Sequence, residues 1–193
     1  MRKSRLLRVE VVNNSDLAAE FIQAFAAKGK RGVTRAVNRA VNGVRTDGGK
    51  LIREDYNVKA GVIHKSFRVQ RAGGGALKGA AIASGSRIPL LAFGARPAKP
   101  GGRRPKKGVS VKVKSTRKTV RGSFVAGMKS GHVGVFMREG KARFPIREKF
   151  SYAVPEMLNR PEKVKTIEAN AVRRFDKNLA HEIDYAFRKF GVR

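Results

Sequence analysis

The spacing of the apolar residues changes twice along this chain of 193 residues, and the two changes limit the folds open to it. Over residues 13–57 apolar side chains recur every three or four positions, which indicates helix. Over residues 66–148 they recur at every second position, which indicates strands, and over 151–190 the helical spacing returns. We therefore predict a single α+β domain over residues 1–193, with a central antiparallel β-sheet flanked by N-terminal helices and a long C-terminal helix.

Several local signals set the expected element boundaries near the N-terminus. Alternating residues predict a short strand over 5–12, and Asn14, Ser15 and Asp16 supply an N-cap for the helix that follows. Glycines break helical patterns, so we expect a kink at Gly29 and Gly32 and an interruption at residues 48–49.

The C-terminal stripe predicts one helix from about residue 163 to 190. Its apolar residues cover slightly more than one face, so we expect this helix to contact another subunit as well as the core. The residues that widen the stripe are Val172, Phe175 and Phe187, beside Ile167, Leu179 and Ile183.

The middle of the chain contains the strand signals and one long loop. In residues 109–114 the valines are expected to face a core, while Ser110, Lys112 and Lys114 form a cationic row on the opposite face. The loop over 96–108 is rich in proline, glycine and basic residues and is too long to be a plain connection. The predicted strands are 67–71, 77–83, 88–93, 109–114, 120–126 and 132–138.

Charge is the strongest indication of function. The formal net charge is +30, and residues 56–138 contain 19 Lys and Arg but no Asp or Glu. Self-repulsion at this level implies a polyanion or an acidic protein surface as partner, and charge alone leaves both open. No aromatic residue lies between Gly94 and Ser123, which disfavours base stacking and favours contacts with the phosphates of duplex DNA. The predicted binding ridge consists of Arg103, Arg104, Lys106, Lys107, Lys112, Lys114, Arg117, Lys118 and Arg121.

The same sequence gives little support to an enzyme. Cysteine is absent, and the three histidines (His64, His132 and His181) lie in different predicted elements. His181 and Asp184 share a helical face, which we interpret as a solvated edge rather than a metal site. We therefore expect no catalytic residues, no metal and no cofactor. The longest mostly apolar run has eight residues, so we also expect no membrane contact.

The C-terminal half resembles a known family. The segments GSFV at 122–125, KSGHVGVFMR at 129–138, GKARFPI at 140–146 and AVP at 153–155 are similar to the minor tail protein Z family of tailed bacteriophages. With IPL at 88–90, the basic loop and AVNRA at 36–40, the resemblance extends over about residues 31–190.

The resemblance implies a structural virion protein, made in the host cytoplasm, that completes the phage tail at its head-proximal end and supports head–tail joining. It implies other tail and neck proteins as partners: the tail terminator, the tube and the connector. Because tails are built around a rotational axis, we expect a homo-oligomeric ring, with the double-stranded genome end as a further contact. The alternative is a free basic protein that binds DNA or RNA without sequence preference.

Overall fold

The computed structural model describes residues 7–12, 16–73, 75–101 and 106–190, apart from the side chains of residues 12 and 190. The described helices are α1 (Asp16–Asp55), α2 (Ala60–Lys65), α3 (Val154–Met157) and α4 (Pro161–Phe190), with a 3-10 turn at Leu90–Phe93. The described strands are β1 (Leu7–Val12), β2 (Phe67–Gln70), β3 (Lys78–Ala83), β4 (Arg87–Pro89), β5 (Gly108–Lys112), β6 (Arg117–Arg121), β7 (Ser123–Gly127), β8 (Val133–Arg138), β9 (Ile146–Glu148) and β10 (Phe150–Ala153).

These elements belong to two compact units. The helical unit contains the described residues of Leu6–Gly49, Phe67–Ser84 and Leu158–Arg193, and the hairpin unit contains those of Lys50–Ser66 and Gly85–Met157.

The helical unit combines α1 and α4 with an antiparallel sheet of order β1-β3-β2. Small residues in β3 allow α1 to approach it closely: a Cβ added at Gly79 would lie 2.9 Å from Cγ2 of Val41. Helical spacing places the apolar residues of both long helices in one core, where all are at most 5% exposed. These residues are Val33, Val37, Val41 and Val44 of α1, and Ile167, Phe175 and Leu179 of α4.

The glycines of α1 do not have the effect that we expected from the sequence. The helix runs through Gly29, Gly32 and residues 48–49, so the predicted breaks there are wrong, and its single kink lies at Ala26 (φ 46°, ψ −124°). Close packing is the reason for these glycines. A Cβ on Gly48, for example, would lie 3.1 Å from the ring of Phe67.

The hairpin unit contains three further antiparallel sheets: β4 with β10, β5 with β6, and the order β7-β8-β9. The predicted strand over 120–126 is divided by Gly122, whose φ of 71° ends β6 and begins β7. The predicted strand over 88–93 ends at Pro89, which fixes φ and lacks an N–H, and a 3-10 turn follows.

The C-terminal boundary also differs in part from the prediction. Residues 150–153 form β10, and α4 then begins at Pro161, a residue suited to the first turn of a helix. Two residues of the predicted stripe lie outside the core, since Val172 is 60% and Phe187 58% exposed. The proposed capping residues Asn14 and Ser15 lie outside the described residues.

The α+β prediction is confirmed, and the strands form four small antiparallel sheets where we expected one central sheet. The assignment of a single domain stays a prediction. In the described part of the chain, no helix has both the length and the apolar character needed to cross a membrane.

Candidate functional site

The β5–β6 hairpin carries most of the predicted binding ridge. Its register pairs Val111 with Lys118 and Lys112 with Arg117, and directly paired residues of antiparallel strands share a face. Two of the three predicted core valines are confirmed: Val109 is 0% and Val111 3% exposed, whereas Val113 lies beyond the end of β5 and is half-buried. Cations therefore lie on both faces of the hairpin rather than in one row: Lys112 and Arg117 on one face, and Lys118 on the face of Val111.

Most of the described ridge cations are exposed to solvent. Arg103 and Arg104 lie outside the described residues, so their contribution stays a prediction. The exposed members are Lys106 and Lys107 in the turn before β5, Lys112 at its end, Lys114, Lys118, and Arg121 at the end of β6.

Arg117 has a structural role within the hairpin unit. Its Nη1 donates hydrogen bonds to the carbonyl oxygens of Gly94 at 2.9 Å and Ser110 at 3.1 Å. Ser110 also pairs with Arg96 through two backbone hydrogen bonds of 2.8 and 3.1 Å. This guanidinium thus ties β6 to β5 and to the end of the 3-10 turn, and it is only half-exposed.

Lys114 departs from the predicted cationic row because β5 ends at Lys112 and the chain bends over residues 113–116. The bend places Nζ of Lys114 5.3 Å from the ring centroid of Tyr56 and 5.9 Å from that of Tyr152. The two rings meet edge to face, with centroids 5.5 Å apart. The ridge segment itself contains no aromatic residue between Gly94 and Ser123, but the fold brings Tyr56 and Tyr152 beside Lys114.

Backbone hydrogen bonds hold this bend in place. The Asn57 backbone N–H donates to the carbonyl of Val113 at 2.9 Å, and its side-chain Nδ2 donates to that of Lys112 at 3.1 Å. A cavity of about 340 Å³ opens beside the bend and contains no acidic side chain. It is lined by Val111, Val113, Lys114, Ser115, Thr116, Lys118 and Tyr152.

Sequence reasoning missed Tyr56 and Tyr152 because they come from distant segments of the chain. Tyr56 follows α1, and Tyr152 lies in β10, so no local pattern links either residue to Lys114. Cation–π contact of this kind orients the ammonium group and keeps the rest of the lysine close to the hairpin.

Two of the groups considered for catalysis are engaged in ordinary pairs. Nε2 of His132, the residue before β8, lies 3.0 Å from Oε1 of Glu148, the last residue of β9. Asp184 accepts hydrogen bonds from Arg188, which lowers the pKa of that carboxyl group below its ordinary value. Among the described residues, no group of three His, Asp or Glu side chains is placed to hold a metal ion.

Comparison with known proteins adds one finding. A family model described as prophage minor tail protein Z (GPZ) matches residues 12–193, nearly the whole chain. No curated protein and no solved structure matches the chain.

Proposed function

Since the chain belongs to the prophage minor tail protein Z family, it is a structural protein of the phage tail, and we propose that it completes the tail at its head-proximal end. In that position it supports the joining of the tail to a filled head. Its action is positional rather than catalytic: one surface binds tail neighbours and another receives an anionic partner.

Membership of a tail family implies contact with other tail proteins of the virion. The tail terminator, the tube and the connector are the neighbours that we propose for a protein at this end of the tail. Because these assemblies share a rotational axis, several copies arranged as a closed ring fit the position better than one copy.

The anionic partner that we propose is the double-stranded genome end as it passes the neck. The observation that supports this is the exposure of Lys106, Lys107, Lys112, Lys118 and Arg121 on a hairpin segment that contains no carboxylate. Each cation can neutralise one phosphate without reading a base, so binding would be independent of sequence.

The tail role is tested by deleting the gene from the phage that encodes it and examining lysates by electron microscopy. We expect filled heads and finished-length tails that remain separate, and we expect the protein supplied in trans to restore joined particles. Joined, infectious particles in its absence would refute the proposal. Failure to make any tail would also refute it, because that result indicates an early role in tube assembly.

The DNA contact is tested by the salt dependence of binding to a duplex of arbitrary sequence. Five phosphate contacts predict a slope of log K against log salt of about −4.5, at about −0.9 for each contact. Replacing Lys112 and Lys118 with Gln should reduce that slope by about 1.8 on every duplex.

Lys165→Gln with Lys177→Gln is the matched control, because both lysines are exposed on α4 and the same charge is removed. Equal slopes for the two double variants would refute the DNA contact. If the hairpin variant keeps its slope but fails to join heads to tails, the hairpin docks on an acidic protein surface. The alternative of a free nucleic-acid-binding protein predicts that purified virions lack the chain.

A further inference from the structure

We propose that the first ten residues of α1, Asp16–Phe25, exchange between neighbouring copies of this chain. We call these residues the arm, and the surface that receives it the groove. This inference goes beyond the proposed function and takes from it only that copies meet around the tail axis.

The arm folds back on its own chain through a strained hinge. Ala26 has φ 46° and ψ −124°, close to the first central position of a type II′ turn, where glycine is the usual residue. Within the described residues it is the only non-glycine residue with positive φ. An alanine side chain disfavours this backbone conformation, so the folded-back arm is maintained against local strain.

Two glycines of α1 form the floor of the groove. A Cβ at Gly29 would lie 2.5 Å from the carbonyl oxygen of Phe21, and one at Gly32 would lie 2.8 Å from the Phe21 ring. The arm therefore lies directly on the backbone of the helix that follows it, and Phe21 is only 5% exposed.

An aromatic contact forms one side of the groove. Phe25 at the end of the arm meets Phe187 of α4 edge to face, with ring centroids 5.2 Å apart. Phe21 and Phe25 are themselves 5.3 Å apart, so the two rings of the arm and Phe187 form one continuous contact. Phe187 remains 58% exposed, which shows that the groove is open to solvent on this side.

Nothing in the local sequence requires the fold-back. Residues 25–28 read Phe-Ala-Ala-Lys, without glycine or proline, and alanine is the strongest helix former. A straight α1 would release the strain at Ala26 but expose Phe21, unless another surface covered that ring. A second copy offers an identical groove, and an identical β3 for β1, which precedes the arm and moves with it. Exchange therefore keeps the contacts of β1 and the arm and removes the strain, which is the basis of domain swapping.

Exchange in one direction around an axis links each copy to the next. Such head-to-tail contacts close into a ring when the rotation between copies closes. The extended arm spans about 15 Å at 1.5 Å per residue, a suitable reach for an adjacent copy. The occupant of each groove is thus the arm of a second copy of this chain.

The exchange can be tested with introduced thiols, because the natural chain contains no cysteine. In the double variant Phe25→Cys with Phe187→Cys, a short bismaleimide joins the two positions within one chain or between two chains. We expect assembled protein to give products of two or more chains. Mixing the two single variants, one of them enlarged by a tag, should give a product containing both.

A hinge variant tests the physical cause. In the double-cysteine chain, Ala26→Gly relieves the fold-back strain and lowers the helix propensity of the straight form. Ala27→Gly is the control, since it lowers that propensity equally without relieving a positive φ. We expect the ratio of between-chain to within-chain product to fall about tenfold in the Ala26 variant relative to the control.

Equal ratios in the two hinge variants would overturn the proposal, as would assembled protein that gives only within-chain product. A chain that stays monomeric at every concentration would overturn it as well. If the arm stays on its own chain while particles still join heads to tails, the exchange is wrong and the proposed tail role stands.

Discussion

Glu182 offers a sharp test of how the helical unit is held together. This carboxylate of α4 is 4% exposed, and it accepts hydrogen bonds from Arg35 and lies 3.3 Å from Nη1 of Arg39, both on α1. The same hydrogen bond raises the pKa of Arg35 above its ordinary value. Replacing Glu182 with Gln keeps the shape of the side chain but removes the buried negative charge between two guanidinium groups.

The expected loss follows from the unequal burial of the partners. Removing one member of a fully buried ion pair destabilises a protein by about 3–5 kcal/mol. Here the arginine side chains are 49% and 50% exposed, so water solvates them when the carboxylate is gone. We therefore discount the figure to about 1–2 kcal/mol, or a fall in melting temperature of about 3–6 °C for a chain of this size.

Urea and thermal unfolding, followed by helical circular dichroism, measure this loss. Asp184→Asn is the matched control: it lies two residues away on α4, changes the charge equally, and pairs with Arg188 at an exposed site. We expect the control to unfold like the natural chain. If Glu182→Gln is no less stable than Asp184→Asn, the buried pair does not stabilise the packing of α4 on α1.

Two further predictions concern burial and backbone geometry. Leu179→Ala should destabilise the protein by about 2–5 kcal/mol, because this side chain is 1% exposed. Phe187→Ala should cost less than about 1 kcal/mol, because that ring is 58% exposed. Equal losses of stability in thermal unfolding would contradict the assigned burial. Gly108→Ala should cost about 3 kcal/mol, since φ is 114° and the new Cβ would lie 2.1 Å from the carbonyl oxygen of Val120. Gly140→Ala, where no atom lies within 4 Å, is the control, and similar denaturant midpoints for the two glycine variants would refute the predicted clash.

Periodicity predicted the fold class, the helical character of the N-terminal segment and the long C-terminal helix, because it reports which faces are buried. It located α4 to within two residues of its start and placed most strands. It could not divide those strands among sheets, since pairing depends on turns such as the one at Gly122, where a single positive φ separates β6 from β7.

The glycines show a second limit of sequence reasoning. A glycine is expected to break a helix because it lacks a side chain. Gly32 and Gly48 nevertheless lie inside α1, at positions where neighbouring side chains contact the helix closely. The actual kink lies at Ala26, a residue with high helix propensity. Tertiary contacts of the arm, invisible in the local sequence, override that propensity.

The candidate site was predicted in composition but not in geometry. The sequence predicted the buried valine face of β5, and binding by the cations stays a prediction. It could not show that Arg117 donates to main-chain carbonyls, or that Lys114 turns toward Tyr56 and Tyr152. These contacts depend on where β5 ends, and the alternating pattern of residues 109–114 continues beyond that point.

The order of segments in the helical unit has a consequence for how the chain is made. Its ion pairs join Asp47 to Arg174 and Arg35 to Glu182, which are 127 and 147 positions apart. A ribosome delivers α1 and the sheet strands well before α4, so this core cannot close during synthesis of the first 160 residues. Contacts of such long range slow folding. Until α4 has been synthesised, the apolar face of α1 stays exposed in a nascent chain that already contains the strongly cationic middle segment. Mutual repulsion between nascent chains then limits aggregation during that interval, so the high charge also protects the protein before it folds.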